Sequence, residues 1–258
     1  MEKLEQLLKL NRMLLSEQSQ YRERAAAVPM ELQSQWRLFR SLVNVRRPKP
    51  ISKAFLELQD SLLKKVIAEK GITKMDSLRS LQENIYLWQG DITTLQLDGI
   101  VNAANSGLTG CYCPCHGCID NAIHTFSGVQ LRLECAAMIK EQGYPEPMGK
   151  AKITKAYNLP SRFVLHTVGP IVTGKLSEKD CALLASCYQS CLELAERHRL
   201  KSLAFCCIST GEFHFPNREA AKIAVKTVKA YLSTHTEMSI VFNVFKDEDY
   251  EIYRRLLS

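Results

Sequence analysis

Apolar residues in the first part of the chain recur near helical spacing, Leu4, Leu7, Leu8, Leu10, Met13 and Leu14 in one stretch and Leu32, Trp36, Phe39, Leu42 and Val43 in the next. Two prolines within 46–50 break the pattern. Ser52 can then cap a third helix, carrying Phe55, Leu58, Leu62, Leu63, Val66 and Ile67, which Gly71 ends. Residues 1–80 therefore read as a helical N-terminal extension that packs on the rest of the chain, and nothing in it suggests catalysis. From about residue 84 the texture changes. Short apolar runs at 85–88, 99–103, 151–156, 163–167, 202–208 and 239–245 alternate with helical patterns at about 121–142, 179–199, 217–233 and 247–256. That alternation predicts an α/β domain over 84–258, with loops at the carboxyl ends of its strands, where open α/β sheets bind ligands.

Charge adds little to this picture. The chain of 258 residues carries a net +7, and residues 1–80 hold all of it, with 16 Lys and Arg against 9 Asp and Glu. Residues 81–258 sum to zero. A basic excess spread over helices with glutamates between reads as a solvated face, and no aromatic-rich groove motif accompanies it, so nucleic acid is not an expected partner. No apolar run is long enough to cross a bilayer and no secretory leader is evident, which predicts a soluble cytoplasmic protein whose ten cysteines stay reduced.

The cysteines change the picture. Residues 111–118 read Cys-Tyr-Cys-Pro-Cys-His-Gly-Cys, placing four of ten cysteines and one of six histidines in eight positions. Thiolate and imidazole are zinc ligands, and tight spacing lets one loop supply several of them. Three further segments carry polar groups at expected strand ends: Gly90-Asp91-Ile92-Thr93, Asn102-Ala103-Ala104-Asn105 and Ser209-Thr210-Gly211-Glu212-Phe213. The last offers consecutive backbone N–H groups around a glycine, the composition of an anion-binding nest.

These segments, with Ile119-Asp120-Asn121-Ala122-Ile123-His124, have the order and spacing of a macrodomain, the ADP-ribose-binding α/β module, which they resemble over about residues 84–258. The resemblance implies a central mixed sheet flanked by helices. Ordinary hydrolytic macrodomains carry a glycine-rich loop between the asparagine and the aspartate. Here that loop is longer and holds cysteines and histidine, and so resembles the zinc-dependent, MacroD-like ADP-ribosyl hydrolases of microbes. In that subfamily Cys-x4-His-x-Cys holds the metal, which maps onto Cys111, His116 and Cys118 and leaves Cys113 and Cys115 outside the pattern.

The resemblance implies site residues as well. Asp91, with Ile92, would meet the adenine, an acceptor-only carboxylate suiting its exocyclic amine. Ser209, Thr210, Gly211, Glu212 and Phe213 would cradle the diphosphate, with Cys118, Ile119, Asp120 and Asn121 completing the ADP-ribose contacts. Asn105 would position the distal ribose and Asp120 would orient or deprotonate a hydroxyl or water as the catalytic pair. Asp120 could instead cap the helix starting near Asn121. Three ligands would leave Zn2+ an open, catalytic position, whereas a fourth from Cys113 or Cys115 would make a closed structural one. His124 and His166 read as packed residues. The subfamily is encoded beside sirtuin-like ADP-ribosyltransferases and lipoyl-carrier proteins. The implied function is thus a zinc-dependent protein mono-ADP-ribosyl hydrolase acting on a modified acidic side chain, with a lipoyl carrier as implied substrate. A non-catalytic ADP-ribose reader and an O-acetyl-ADP-ribose deacetylase stand as alternatives.

Overall fold

A computed structural model describes residues 2–258. Four helices open the chain: α1 (Lys3–Glu17), α2 (Arg22–Ala26), α3 (Leu32–Val45) and α4 (Lys53–Lys70). Ser52 caps α4 as its position suggests, its hydroxyl accepting the Phe55 N–H at 3.2 Å, and Gly71 ends the helix at φ 87°. Then come β1 (Thr73–Lys74), β2 (Ser80–Gln82), β3 (Ile85–Gln89), β4 (Leu95–Gln96) and β5 (Gly99–Ala103). Helices α5 (Ile119–Ser127) and α6 (Val129–Gln142) are next, then β6 (Ala151–Lys155), β7 (Phe163–Thr167), α7 (Glu178–Arg197), β8 (Ser202–Phe205), α8 (Asn217–Leu232), β9 (Ser239–Val244) and α9 (Asp247–Leu257).

Seven strands form one mixed sheet in the order β2-β3-β9-β8-β5-β7-β6. The inner pairings are parallel, and antiparallel β2 and β6 close the two edges. Helices cover both faces of the parallel centre, which is why β5 and β9 read as near-continuous apolar runs and not as alternating ones. The fold is thus a mixed α/β sheet flanked by helices and preceded by a helical region, as expected.

The extension is not a separate body in its packing. Leu10 of α1, Phe39 of α3 and Leu62 of α4 belong to the same buried cluster as Ile100 of β5 and Phe242 of β9. Helices α3 and α4 lie against α5. Burying a leucine of this kind contributes about 1.5–3 kcal/mol, so the extension is tied down by its apolar face.

Several boundaries differ from the sequence expectation. The helix expected over 121–142 starts at Ile119 and breaks at Gly128, where φ is 95° and a Cβ would meet Gln59 Nε2 at 2.5 Å. Gln59 of α4 supplies the reason: its Oε1 accepts the Val129 N–H at 3.1 Å, satisfying a first-turn donor of α6. The strand expected over 202–208 ends at Phe205, because the chain turns into a loop that passes through Ser209 at φ 65°. Short β1, β2 and β4 carry no alternation long enough to signal a strand.

Candidate functional site

The carboxyl ends of β3, β5, β8 and β9 open on one cleft of about 960 Å3, within the size range of small-molecule sites. Asp91 stands at the end of β3. Its Oδ1 accepts the Thr93 N–H at 3.0 Å and the Thr93 hydroxyl at 2.6 Å, while Oδ2 accepts Lys70 Nζ at 2.7 Å. Burial works against the charge, but the hydrogen bonds of Lys70 and Thr93 outweigh it and hold the carboxyl below the usual range.

After β8 the chain runs through Ser209-Thr210-Gly211-Glu212-Phe213, which also lines the cleft. The His214 N–H bonds Gly211 O and the Phe215 N–H bonds Ser209 O, both at 3.0 Å, folding the segment into a tight loop. Among the described residues the N–H groups of Gly211, Glu212 and Phe213 take no partner. A Cβ on Gly211 would meet nothing within 4 Å, so the backbone there is open to a ligand. Unpaired N–H groups on such a loop suit a phosphate.

Asn105 lies just past β5 and Asp120 in the first turn of α5. Asn105 Nδ2 donates to Gly110 O at 3.0 Å and to Asp120 Oδ2 at 3.3 Å, and Asn102 Nδ2 donates to Asp120 Oδ1 at 2.8 Å. Asp120 is therefore held by two amides and does not cap its helix. That position belongs to Cys118, whose Sγ accepts the Asn121 N–H at 3.4 Å. Burial pushes the Asp120 carboxyl up to about 6, with the asparagine amides and Arg132 opposing. Behind it, buried His124 and His166 are held neutral: burial lowers both, and for His124 the neighbouring His166 and Arg132 add to it.

Cys111, His116 and Cys118 come together with ligand atoms all within 4.8 Å of one another. Cys111 Sγ and His116 Nδ1 are 3.7 Å apart. Two ligands of one tetrahedral zinc, with bonds of about 2.3 Å to sulfur and 2.0–2.1 Å to nitrogen, stand roughly 3.6 Å apart, so the set fits the ion. Burial pushes the Cys118 thiol up to about 12, and the neighbouring Cys111 and Asp120 charges act the same way. A divalent cation relieves that repulsion, because a coordinating thiol is deprotonated outright. The other ring nitrogen of His116, Nε2, faces Glu212 Oε1 at 3.5 Å, the arrangement in which a carboxylate orients a ligating imidazole. Cys115 points elsewhere, donating to Arg37 O at 3.4 Å, and Cys113 is exposed.

Asp91, Ile92, Asn105, Cys118, Ile119, Asp120 and the 209–213 segment thus share one cleft. Asn121 does not join them. Its fully buried side chain is committed to Cys113 O at 2.9 Å and to Arg40, so it holds the cysteine loop and leaves the cleft to its neighbours. The extension, in whose sequence nothing suggests catalysis, also reaches the cleft. Lys70 of α4 and Trp36 and Arg40 of α3 line the cleft, and Lys70 Nζ also lies 3.5 Å from the Phe126 ring centroid. Lys70 sits just before the helix-ending Gly71, a position that on sequence alone signals only a helix C-terminus.

Among known proteins, the family described as Macro domain matches residues 101–224. A protein-ADP-ribose hydrolase of Treponema medium is 53% identical over 236 residues, covering 90% of each chain. A protein of the same description from Staphylococcus aureus strain MSSA476 is 49% identical over 230 residues, covering 88% of this chain and 86% of the relative. Of solved structures, the Trypanosoma brucei macrodomain in complex with ADP superposes with a TM-score of 0.65 at 30% identity, covering 86% of this chain and 96% of the other. The Oceanobacillus iheyensis macrodomain with ADP gives 0.63 at 37% identity, covering 70% and 93%.

Proposed function

The chain belongs to the Macro domain family and is a hydrolase of ADP-ribosyl bonds; from that premise we propose a zinc-dependent protein mono-ADP-ribosyl hydrolase of the MacroD-like microbial branch. Its substrate is a protein modified on an acidic side chain, with a lipoyl-carrier protein as the favoured class. The observation that carries this reading is the meeting of Cys111, His116 and Cys118 at the cleft that also holds Asn105 and Asp120.

Each part of the substrate has a partner of fitting chemistry. The Asp91 carboxylate accepts from the adenine amine, which a purine carbonyl in its place could not satisfy. The free N–H groups of Gly211, Glu212 and Phe213 take the diphosphate, and the α5 N-terminus adds the favourable end of a helix dipole. Asn105 sets the distal ribose. Hydrolysis adds water across the bond from the ribose carbon to the side-chain carboxylate: the oxygen of water bonds to the distal ribose, the carboxylate leaves with the bonding pair, and one proton is released. Asp120, within reach of a hydroxyl in the cleft, accepts that proton while Asn102 and Asn105 hold its orientation. A zinc ion held by Cys111, His116 and Cys118 would act as a Lewis acid toward a ribose hydroxyl or water.

Incubating the protein with a carrier ADP-ribosylated on aspartate or glutamate tests the reading by release of free ADP-ribose. Binding of ADP-ribose without release would make the protein a reader.

A further inference from the structure

The cysteine cluster holds two thiols that the metal set does not use, and one of them sits at an unusual place. Cys115 adopts φ 53°, a left-handed conformation that costs a non-glycine residue energy and persists only where its surroundings enforce it. Those surroundings are one face of α3. Asn44 Oδ1 accepts the Cys115 N–H at 2.9 Å, Cys115 Sγ donates to Arg37 O at 3.4 Å, and it lies 3.3 Å from Ser41 Oγ. Asn44 is itself almost fully buried and braced by a 3.0 Å bond to Thr125 Oγ1. Arg40, one turn earlier on α3, donates to His116 O at 3.4 Å and to Asn121 Oδ1 at 2.9 Å, and Asn121 in turn holds Cys113 O. At the other end of the loop Arg132 donates to Cys111 O at 3.4 Å while capping the last carbonyls of α3, Val43 and Asn44 among them.

The carbonyls of Cys111 and His116 are thus both gripped by guanidinium groups tied to α3, and the turn between them is pinned through Cys115. Ordering a loop on metal binding costs conformational entropy, and a loop already ordered by its neighbours does not incur that cost again. We propose that α3 is the positioning element of the metal site: Arg40 and Asn44 hold residues 111–118 in the shape that gathers Cys111, His116 and Cys118, and Cys115 is the anchor of that loop and not a ligand. The inference rests on the proposed zinc site and assigns the N-terminal extension a task in it.

The test is the rate at which zinc passes from the purified protein to a chromophoric chelator, followed with zinc content by elemental analysis. Arg40→Ala, Asn44→Ala and Cys115→Ala should each retain zinc as purified and release it at least tenfold faster than the parent. Val228→Ala, a core change in α8, lowers stability without touching the loop and should release zinc at the parent rate. Parent-like release in Arg40→Ala and Asn44→Ala would overturn the proposal, as would equal acceleration in Val228→Ala. So would complete loss of zinc confined to Cys115→Ala, which would make that thiol a ligand. If the buried Asn44 change fails to fold, the half-buried Arg40 carries the test alone. A parent protein without zinc fails the zinc site and this inference with it; a zinc-loaded parent with unaltered variants fails only this one.

Discussion

Replacing Asp91 by alanine separates the duty it has in the structure, holding its own turn, from the one proposed for it, receiving the adenine. In the free protein the carboxylate caps the turn over Ile92–Thr94 and pairs with Lys70. Loss of the cap costs about 0.5–2 kcal/mol of stability. The ion pair adds little, because its side chains are 31% and 36% exposed and such surface pairs contribute about 0–1 kcal/mol. The fold should therefore survive. Binding loses a hydrogen bond to a charged acceptor, about 1.5–3 kcal/mol, which is roughly a tenfold to 150-fold rise in the Kd for ADP-ribose. Asp91→Asn is the sharper variant: one amide oxygen can still cap Thr93, but its NH2 must then face both Lys70 and the adenine amine, donors against donors. Because its hydrogen bonds with Lys70 and Thr93 hold the Asp91 carboxyl below the ordinary value, it is ionised throughout the neutral range. The sign is then fixed: its contribution is fully present at neutral pH and is lost only as pH falls through the lowered value. The difference in affinity between parent and Asp91→Ala should accordingly stay flat from pH 6 to 8. Isothermal titration with ADP-ribose, beside thermal melts of each variant, measures all of this. A folded Asp91→Ala protein with parent affinity would place the adenine elsewhere.

Cys111→Ser, His116→Ala and Cys118→Ser should each abolish zinc retention by elemental analysis, whereas Cys113→Ser should keep it. Asp120→Ala and Asn105→Ala should retain zinc and much of the ADP-ribose affinity while ADP-ribose release falls by a factor of about 100 or more, as expected when a proton acceptor or its positioning partner is removed. Leu62→Ala, in the buried face of α4, should cost about 2–5 kcal/mol and lower the midpoint of a single unfolding transition, because the extension shares its core with the sheet. Two separate transitions in denaturant would show that the extension folds independently.

The parts of the fold carried by periodic apolar residues were legible in the chain: strands at 99–103 and 163–167 match the structure, as does the helix from Ser52 to Gly71. What escaped depends on partners distant in sequence. The break at Gly128 is enforced by Gln59, about seventy residues earlier, and no local pattern announces it. The same holds for the site. Asp91, Asn105 and the 209–213 loop follow strand ends and Asp120 opens α5, so their types and order in the chain single them out, whereas Lys70, Trp36 and Arg40 are ordinary helix residues until tertiary packing brings them to the cleft. Nor does the motif around Asn121 announce the bonds its side chain makes with Arg40 and Cys113.

The most direct test of the account is hydrolysis by the metal-free protein. Chelated enzyme, verified zinc-free and still able to bind ADP-ribose, is incubated with a protein ADP-ribosylated on aspartate or glutamate, and released ADP-ribose is tracked before and after adding back one equivalent of zinc. The account predicts no release above the uncatalysed rate until zinc returns, and then recovery of the parent rate. Hydrolysis at the parent rate by the verified zinc-free protein would contradict it and leave the metal as a brace for the cysteine loop.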